Sequence, residues 1–319
     1  MSQRERGLSR GGAASARRAK RHTPFEFAPG VYRLAVGGPG LRVNVYFVRS
    51  GRSWVLIDTG LKRSGHKIRR AADSLFGPAS RPSAILLTHT HPDHAGSAAR
   101  LARTWGCPVY LHPKELRMVG DDKATADYFR KHSFPLDRRL FLPLFGLAGG
   151  RHLKKIASRG GLRQFARPLG SDANSGPHQG AQARKDEIVA PAADENADRP
   201  ASEGTGRPTT SYPVPGLPDW QAVATPGHTP GHVSFFREKD GVLLSGDAVV
   251  TKTDPLSTLV GKRADVCRSP GYFTWHQPLA RESIALLAKL EPRMVAGGHG
   301  EPRRDEGLSE KLKSLARGD

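Results

Sequence analysis

The amino-acid sequence predicts an α/β protein, and three observations support this prediction. Near the N-terminus, three runs rich in β-branched and aromatic residues, GVYRLAV, LRVNVYFVR and SWVLIDTG, are separated by GGPG and SGR turns. Strand and helix patterns then alternate between residues 67 and 112. The same alternation returns between residues 220 and 319, so we expect a β-meander that passes into βαβ units.

In the N-terminal half, the run LRVNVYFVR alternates apolar residues at Val43, Val45 and Phe47, which predicts an antiparallel strand with one buried face. Residues 67–76 follow with a helical pattern. The apolar run SAILLT, residues 83–88, predicts a buried strand. Apolar residues at helical spacing then predict a helix over 95–105 that stops at Gly106, and CPVYLH predicts the next strand.

The C-terminal half repeats these patterns. The stretches WQAVATPGHTPGHVSFF and GVLLSGDAVV each predict a strand followed by a polar loop. Leucines at helical spacing predict a helix over 276–290. The run RMVAGG then predicts a strand, and the last residues predict a final helix.

The domain organisation follows from composition. Residues 1–23 are polar and rich in Gly, Ala and Arg, which predicts a disordered basic tail, and residues 24–319 are predicted to form a single domain. Regularity lapses at about 115–212, which we interpret as an insertion in that domain. Within it, a Gly-, Pro-, Ala- and acid-rich stretch at about 170–211 predicts a disordered loop.

Composition also limits the class of protein. No apolar run approaches the roughly 20 residues that span a bilayer, and Arg17-Arg18 precedes no apolar signal segment, so we expect no transmembrane segment and a cytoplasmic location. Cys107 and Cys267 are the only cysteines, which argues against a disulfide framework or a thiolate metal site.

The formal net charge of +20 predicts non-specific attraction to anions, including nucleic acid. Much of the excess lies in the tail and in residues 138–167 rather than beside the candidate site described next. We therefore expect a small-molecule substrate. The sequence makes no prediction of the oligomeric state.

The stretch THTHPDHAG, residues 88–96, contains three histidines and an aspartate within six consecutive positions. It follows the predicted strand 83–88 and precedes the predicted helix 95–105. A loop held between a strand and a helix is rigid, which favours a catalytic site over a solvated His-rich tail. Imidazole nitrogens and carboxylate oxygens are ligands of divalent metals, so the stretch indicates a metal site.

Three further candidate ligands follow predicted strands: His228 in TPGHTPGH, Asp247 in LLSGDAV and His299 in VAGGHGEP. Loops at the carboxyl ends of neighbouring strands converge in an open sheet, so these side chains are expected to meet the first cluster. The glycines beside them let the backbone turn sharply and approach an ion closely. We interpret His232, in the same turn as His228, as a hydrogen-bonding turn residue rather than a ligand.

Together with LIDTG, which contains Asp58, these motifs resemble those of the metallo-β-lactamase fold superfamily of metal-dependent hydrolases. The motifs LIDTG, THTHPDHAG, TPGHTPGH, SGDAV and GGHG stand in the family's order, and the resemblance extends from about residue 25 to 305. It implies a four-layer αβ/βα sandwich, in which two mixed β-sheets lie face to face with helices outside.

The resemblance also implies a two-metal centre at one edge of the sandwich. The first metal would be held by His89, His91 and His228. The second would be held by Asp93, His94 and His299, and Asp247 would bridge the two. Asp58 resembles the family's carboxylate that hydrogen-bonds a ligating histidine and so orients it.

Zinc is the metal we expect, and Mn²⁺ or Fe²⁺ also tolerate five histidines and two aspartates. A water bridging two such ions should ionise near neutral pH and act as a hydroxide nucleophile. Asp93 would orient it or return its proton to the leaving group. The predicted activity is hydrolysis of a small ester, thioester, lactone or related acyl substrate.

Several alternatives stay open. A phosphodiesterase or nuclease of the same fold is favoured by the basic charge, and a mononuclear-iron sulfur dioxygenase-like enzyme by the shared histidine pattern. A non-enzymatic basic adaptor is a further alternative. The glyoxalase-II-like and lactonase-like branches are also unresolved: Val250 stands where lactonases often carry Tyr, and only about 20 residues follow His299, too few for the helical domain of glyoxalase-II-like thioesterases.

Overall fold

The computed structural model of the chain describes residues 23–38, 41–120, 153–154, 161–165, 211–251 and 265–318. The predicted tail, apart from Thr23, and the predicted loop at about 170–211, apart from Ser211, lie outside these residues. Within the described ranges, no helix combines the length and the apolar character needed to cross a membrane.

The first β-sheet contains seven strands, which lie side by side in chain order. They are β1 (Phe25–Ala28), β2 (Val31–Gly38), β3 (Leu41–Ser50), β4 (Ser53–Ile57), β5 (Ala84–Leu86), β6 (Val109–Leu111) and β7 (Leu162–Gln164). Strands β1 to β4 pair antiparallel, whereas β4 to β7 pair parallel. Because β7 extends this sheet, part of the predicted insertion belongs to the sandwich itself.

The second sheet contains six strands in the order β15-β14-β11-β10-β9-β8. They are β8 (Ser211–Pro213), β9 (Gln221–Ala224), β10 (Val233–Arg237), β11 (Val242–Gly246), β14 (Met294–Gly297) and β15 (Arg303–Arg304). Only β11 and β14 pair parallel in this sheet. A separate antiparallel pair is formed by β12 (Val249–Val250) and β13 (Cys267–Arg268).

Six α-helices accompany the sheets in the described ranges. They are α1 (Gly65–Phe76), α2 (Pro92–Ala95), α3 (Ala98–Trp105), α4 (Pro113–Gly120), α5 (Gln277–Ala288) and α6 (Leu308–Arg317). The helix predicted over 95–105 is therefore shorter, and the preceding Pro92-Asp93 pair opens a helix of its own. Proline suits the first position of a helix because its missing N–H would have no partner there. Helix α3 ends as predicted at Gly106, whose φ is +65°.

Three apolar clusters define the layers. Helices α1 and α3 pack against one face of the first sheet. The opposite face packs against the second sheet, for example where Tyr46 and Ile57 join the cluster that contains Phe235. Helices α5 and α6 cover the outer face of the second sheet. This helix–sheet–sheet–helix order confirms the predicted four-layer sandwich.

The prediction that β3 has only one buried face is wrong. Val43, Val45 and Phe47 belong to the cluster under the helices, but Tyr46 and Val48 are equally buried against the second sheet. The strand lies between two covering layers, so both of its faces are apolar. The antiparallel pairing predicted for β3 is confirmed on both sides.

Candidate metal centre

The seven predicted ligands come together where strands of both sheets end. His89 follows β5, His228 follows β9, Asp247 follows β11 and His299 follows β14. The seven residues form three overlapping groups, and within each group the ligand atoms lie within 4.8 Å of one another. These groups are His89, His91 and His228; His89, His94 and Asp247; and Asp93, His94 and His299. Loops that lie far apart in the sequence, from residue 89 to residue 299, therefore come together in the fold.

The first group consists of three imidazoles. Nε2 of His228 lies 3.0 Å from Nδ1 of His91, and 3.5 Å from Oδ2 of Asp247. Burial lowers the pKa of His89, His91 and His228, and neighbouring imidazoles lower it further. The carboxylates of Asp93 and Asp247 act in the opposite direction on His91, and that of Asp247 on His228, without reversing the shift. These rings are therefore neutral at neutral pH, which is the form of histidine that binds a metal.

The second group mixes imidazoles with carboxylates. Nε2 of His299 lies 3.5 Å from Oδ2 of Asp93 and 3.4 Å from Oδ2 of Asp247, and Nε2 of His94 lies 3.5 Å from Oδ1 of Asp247. Burial acts to lower the pKa of His299, but the carboxylates of Asp247 and Asp93 raise it to about 10. Burial acts to raise the pKa of Asp93, but His94 and His299 lower it to about 2. The two carboxylates therefore stabilise a positive charge at the position of His299.

Asp58 is connected by hydrogen bonds to two candidate ligands, directly to His94 and through Thr88 to His89. Its Oδ2 accepts a hydrogen bond from Nδ1 of His94 at 2.8 Å, and its carboxylate also accepts from the backbone N–H and hydroxyl of Thr88. That hydroxyl has donated its only hydrogen, so it accepts from Nδ1 of His89 at 2.9 Å. Both histidines thereby turn Nε2 toward the site. Asp58 has a φ of +59°, an unusual backbone conformation that is concentrated at functional sites.

The loop that carries His299 is tied to β3 by residues that the sequence analysis did not identify. The Nδ2 amide of Asn44 donates to the carbonyls of Gly297 and Gly300, at 2.9 and 2.8 Å. Nδ1 of His299 donates to the carbonyl of Arg42 at 2.6 Å. One feature of the sequence could have identified Asn44: it is a polar residue within the apolar run VNVYFV, and a buried amide needs hydrogen-bond partners.

His232 lies beside the candidate ligands without sharing their role. Its Nε2 accepts from the backbone N–H of Asp247 at 2.9 Å, so its Nδ1 carries the hydrogen and donates to Oγ1 of Thr225 at 2.8 Å. Both ring nitrogens are therefore engaged. The structure agrees with the interpretation of His232 as a hydrogen-bonding turn residue.

The donor set suits divalent cations. Nε2 of His89, Nε2 of His94 and Oδ1 of Asp247 are buried, and none of them has a hydrogen-bond partner among the described residues. Buried polar atoms almost always have a partner, and unsatisfied ones call for an explanation such as an ion. Imidazole nitrogens and carboxylate oxygens that converge in this way are typical ligands of zinc and related metals.

Gly298 provides a test of how tightly this site is built. A Cβ atom at this position would lie 2.1 Å from Oδ1 of Asp247 and 2.6 Å from Cε1 of His94. We expect Gly298→Ala to displace these side chains and to lower kcat/KM about a hundredfold, a typical cost of misplacing reacting groups by about 1 Å. Steady-state kinetics and zinc content by elemental analysis measure the effect.

Gly38→Ala is the matched control, because a Cβ at Gly38 meets no atom of the described residues within 4 Å. We expect this variant to keep wild-type activity and zinc content. Wild-type activity in Gly298→Ala would show that the ligand side chains are not confined as described.

Comparisons with known proteins give a family match and several relatives. The family model described as the metallo-beta-lactamase superfamily matches residues 38–299. The probable metallo-hydrolase YflN of Bacillus subtilis (strain 168) is 31% identical over 298 residues, which are 92% of each chain. The probable metallo-hydrolase YybB of the same organism is 21% identical over 268 residues, 81% of each chain.

Solved structures show the same fold. The metallo-beta-lactamase family protein TTHA1429 from Thermus thermophilus has a TM-score of 0.50 and 24% identity, and the match covers 92% of this chain and 81% of that one. The metallo-beta-lactamase FIM-1 from Pseudomonas aeruginosa, in its mono-zinc form, has a TM-score of 0.52 and 14% identity, with 93% and 95% covered. At these identities the likeness concerns the fold alone.

Proposed function

Because the chain belongs to the metallo-β-lactamase superfamily, we propose that it is a metal-dependent hydrolase of a small ester, thioester, lactone or related acyl substrate. The observation that carries this proposal is the convergence of five histidines and two aspartates from four loops. Four buried nitrogen or oxygen atoms of these side chains, on His89, His94, His228 and Asp247, have no hydrogen-bond partner in the described residues. Ordinary packing gives no reason to bury such a set together.

We propose that His89, His91 and His228 hold one ion, that Asp93, His94 and His299 hold a second, and that Asp247 lies between them. Contacts from Asp247 to His94, His228 and His299 support its shared position. Zinc suits the donor set, and Mn²⁺ or Fe²⁺ are alternatives. When bound, the ions would lower the pKa of water and polarise the substrate carbonyl.

The chain's own residues supply orientation and proton transfer. Asp93 has a pKa of about 2, because His94 and His299 outweigh the effect of burial, so its carboxylate is ionised at neutral pH. We propose that this carboxylate orients the attacking water by accepting a hydrogen bond from it, or returns its proton to the leaving group. Asp58, through His94 and Thr88, keeps the imidazoles oriented during these steps.

A phosphodiesterase of the same fold is the second candidate, and the basic charge favours it. Phosphoryl-transfer sites commonly use Lys or Arg to stabilise the extra negative charge. In the part of the chain that the structure describes, Arg268 lines a pocket together with His228 and Asp247. The net charge of the whole chain is +20.

Two chromogenic substrates separate these candidates. We expect zinc-loaded protein to hydrolyse p-nitrophenyl acetate, and to leave bis-p-nitrophenyl phosphate nearly untouched. Incubation with a chelator should remove the activity, and added zinc should restore it. A higher kcat/KM for the phosphodiester would overturn the acyl assignment, and ester hydrolysis that persists in chelator would overturn the metal dependence.

A further inference from the structure

Glu115 is a fully buried carboxylate beside the first group of histidines. It lies in α4, and its Oε2 accepts from the backbone N–H of Thr90 at 2.9 Å and from the Thr90 hydroxyl at 2.5 Å. Its Oε1 accepts from the backbone N–H of Gly231 at 3.0 Å. Both carboxylate oxygens are therefore engaged.

The two partners of Glu115 belong to the two loops that carry the first three candidate ligands. Thr90 lies between His89 and His91 in sequence, and Gly231 lies three residues after His228. One carboxylate thus joins these loops from the side of α4. Removing it would free the backbone on either side of the three imidazoles.

Stability alone does not explain this arrangement. Burying a carboxylate is costly, and Glu115 has no Lys or Arg partner in the described part of the chain to offset the cost. The backbone is also adapted to it. A Cβ at Gly231 would lie 2.8 Å from Cγ of Glu115, so glycine permits the close approach.

We propose that Glu115 is a positioning residue for the first metal site. Its hydrogen bonds hold the loop of His89 and His91 at a set distance from the turn of His228, so the three imidazoles are arranged before an ion arrives. This inference rests on the metal binding of the proposed function, but not on the substrate.

Zinc affinity is the direct measurement. We expect Glu115→Gln and Glu115→Ala to weaken zinc binding at the first site about 10- to 100-fold in chelator competition, the usual range for partners that orient metal ligands. Glu115→Asp keeps the charge but cannot span both loops, and we expect it to lose affinity as well. The cobalt-substituted variants should show an altered visible spectrum.

Thermal unfolding separates positioning from a general loss of stability. A residue that only stabilises the fold would lower the Tm of metal-free and zinc-loaded protein equally. We expect the variants to show a smaller rise in Tm on adding zinc than the wild type does, because weaker binding contributes less stabilisation. The control is Glu282→Gln, an exposed glutamate of α5, for which affinity, spectrum and Tm rise should be unchanged.

Wild-type zinc affinity and cobalt spectrum in the folded members of the Glu115 series would overturn the proposal. If the glutamine and alanine variants do not fold, the aspartate variant and Thr90→Val, which removes only the hydroxyl hydrogen bond, decide the question in the same way. Failure to hydrolyse any ester would overturn the proposed activity but leave this readout intact, because zinc affinity is measured without substrate.

Discussion

The His91→Ala variant is expected to lose at least about a thousandfold in kcat/KM on p-nitrophenyl acetate and to keep its fold. A metal ion supplies several kcal/mol of transition-state stabilisation, and about 4 kcal/mol corresponds to a thousandfold in rate. His91 is one of three imidazoles in the first group, and its Nδ1 lies 3.0 Å from Nε2 of His228. Alanine removes that nitrogen, so the first site is left with two imidazoles.

The fold should survive because the imidazole of His91 lies in a loop and is only partly buried. It belongs to none of the three apolar clusters. Far-ultraviolet circular dichroism and the Tm of chelator-treated protein measure the fold, and elemental analysis measures the zinc content. His66→Ala, at an exposed position near the start of α1, is the control with wild-type kinetics. A His91→Ala variant with unchanged turnover would contradict the assignment of the site.

Trp54→Ala is expected to lower the free energy of unfolding by about 3–5 kcal/mol, the usual cost of truncating a buried tryptophan. Trp54 is only 1% exposed, and its ring stacks on Phe76 at 4.6 Å and meets Trp105 edge-on at 5.5 Å. Its Nε1–H donates to Oγ of Ser80 at 2.8 Å. The truncation therefore leaves a cavity between β4, α1 and α3.

Urea unfolding followed by circular dichroism measures this loss in chelator-treated protein, where zinc does not contribute. Phe25→Ala is the control, because Phe25 is 59% exposed and its truncation should change stability by no more than about 0.5 kcal/mol. A loss below about 1 kcal/mol for Trp54→Ala would show that the layer between the first sheet and its helices is not packed as described.

The sequence identified the candidate ligands, but it did not identify the residues that hydrogen-bond to the loops carrying them. His89, Asp247 and the other candidate ligands have distinctive chemistry and stand directly after recognisable strands, so local pattern was enough to select them. Asn44 and Glu115 were not selected. Their partners lie far along the chain, as with Asn44 and Gly297 or Glu115 and Gly231, at separations of 253 and 116 residues.

The sequence by itself determined the family, the alternation of strands and helices and the identity of the seven candidate ligands, because these depend on residue type and on spacing along a few neighbouring residues. Tertiary structure alone decided which strand faces are buried and which polar groups meet. Strand β3 illustrates the reason: its alternation of Val43, Val45 and Phe47 indicates a strand, but only the second sheet packed on its other face explains why Tyr46 and Val48 are equally buried. Burial is set by contacts between distant segments, which no local pattern contains.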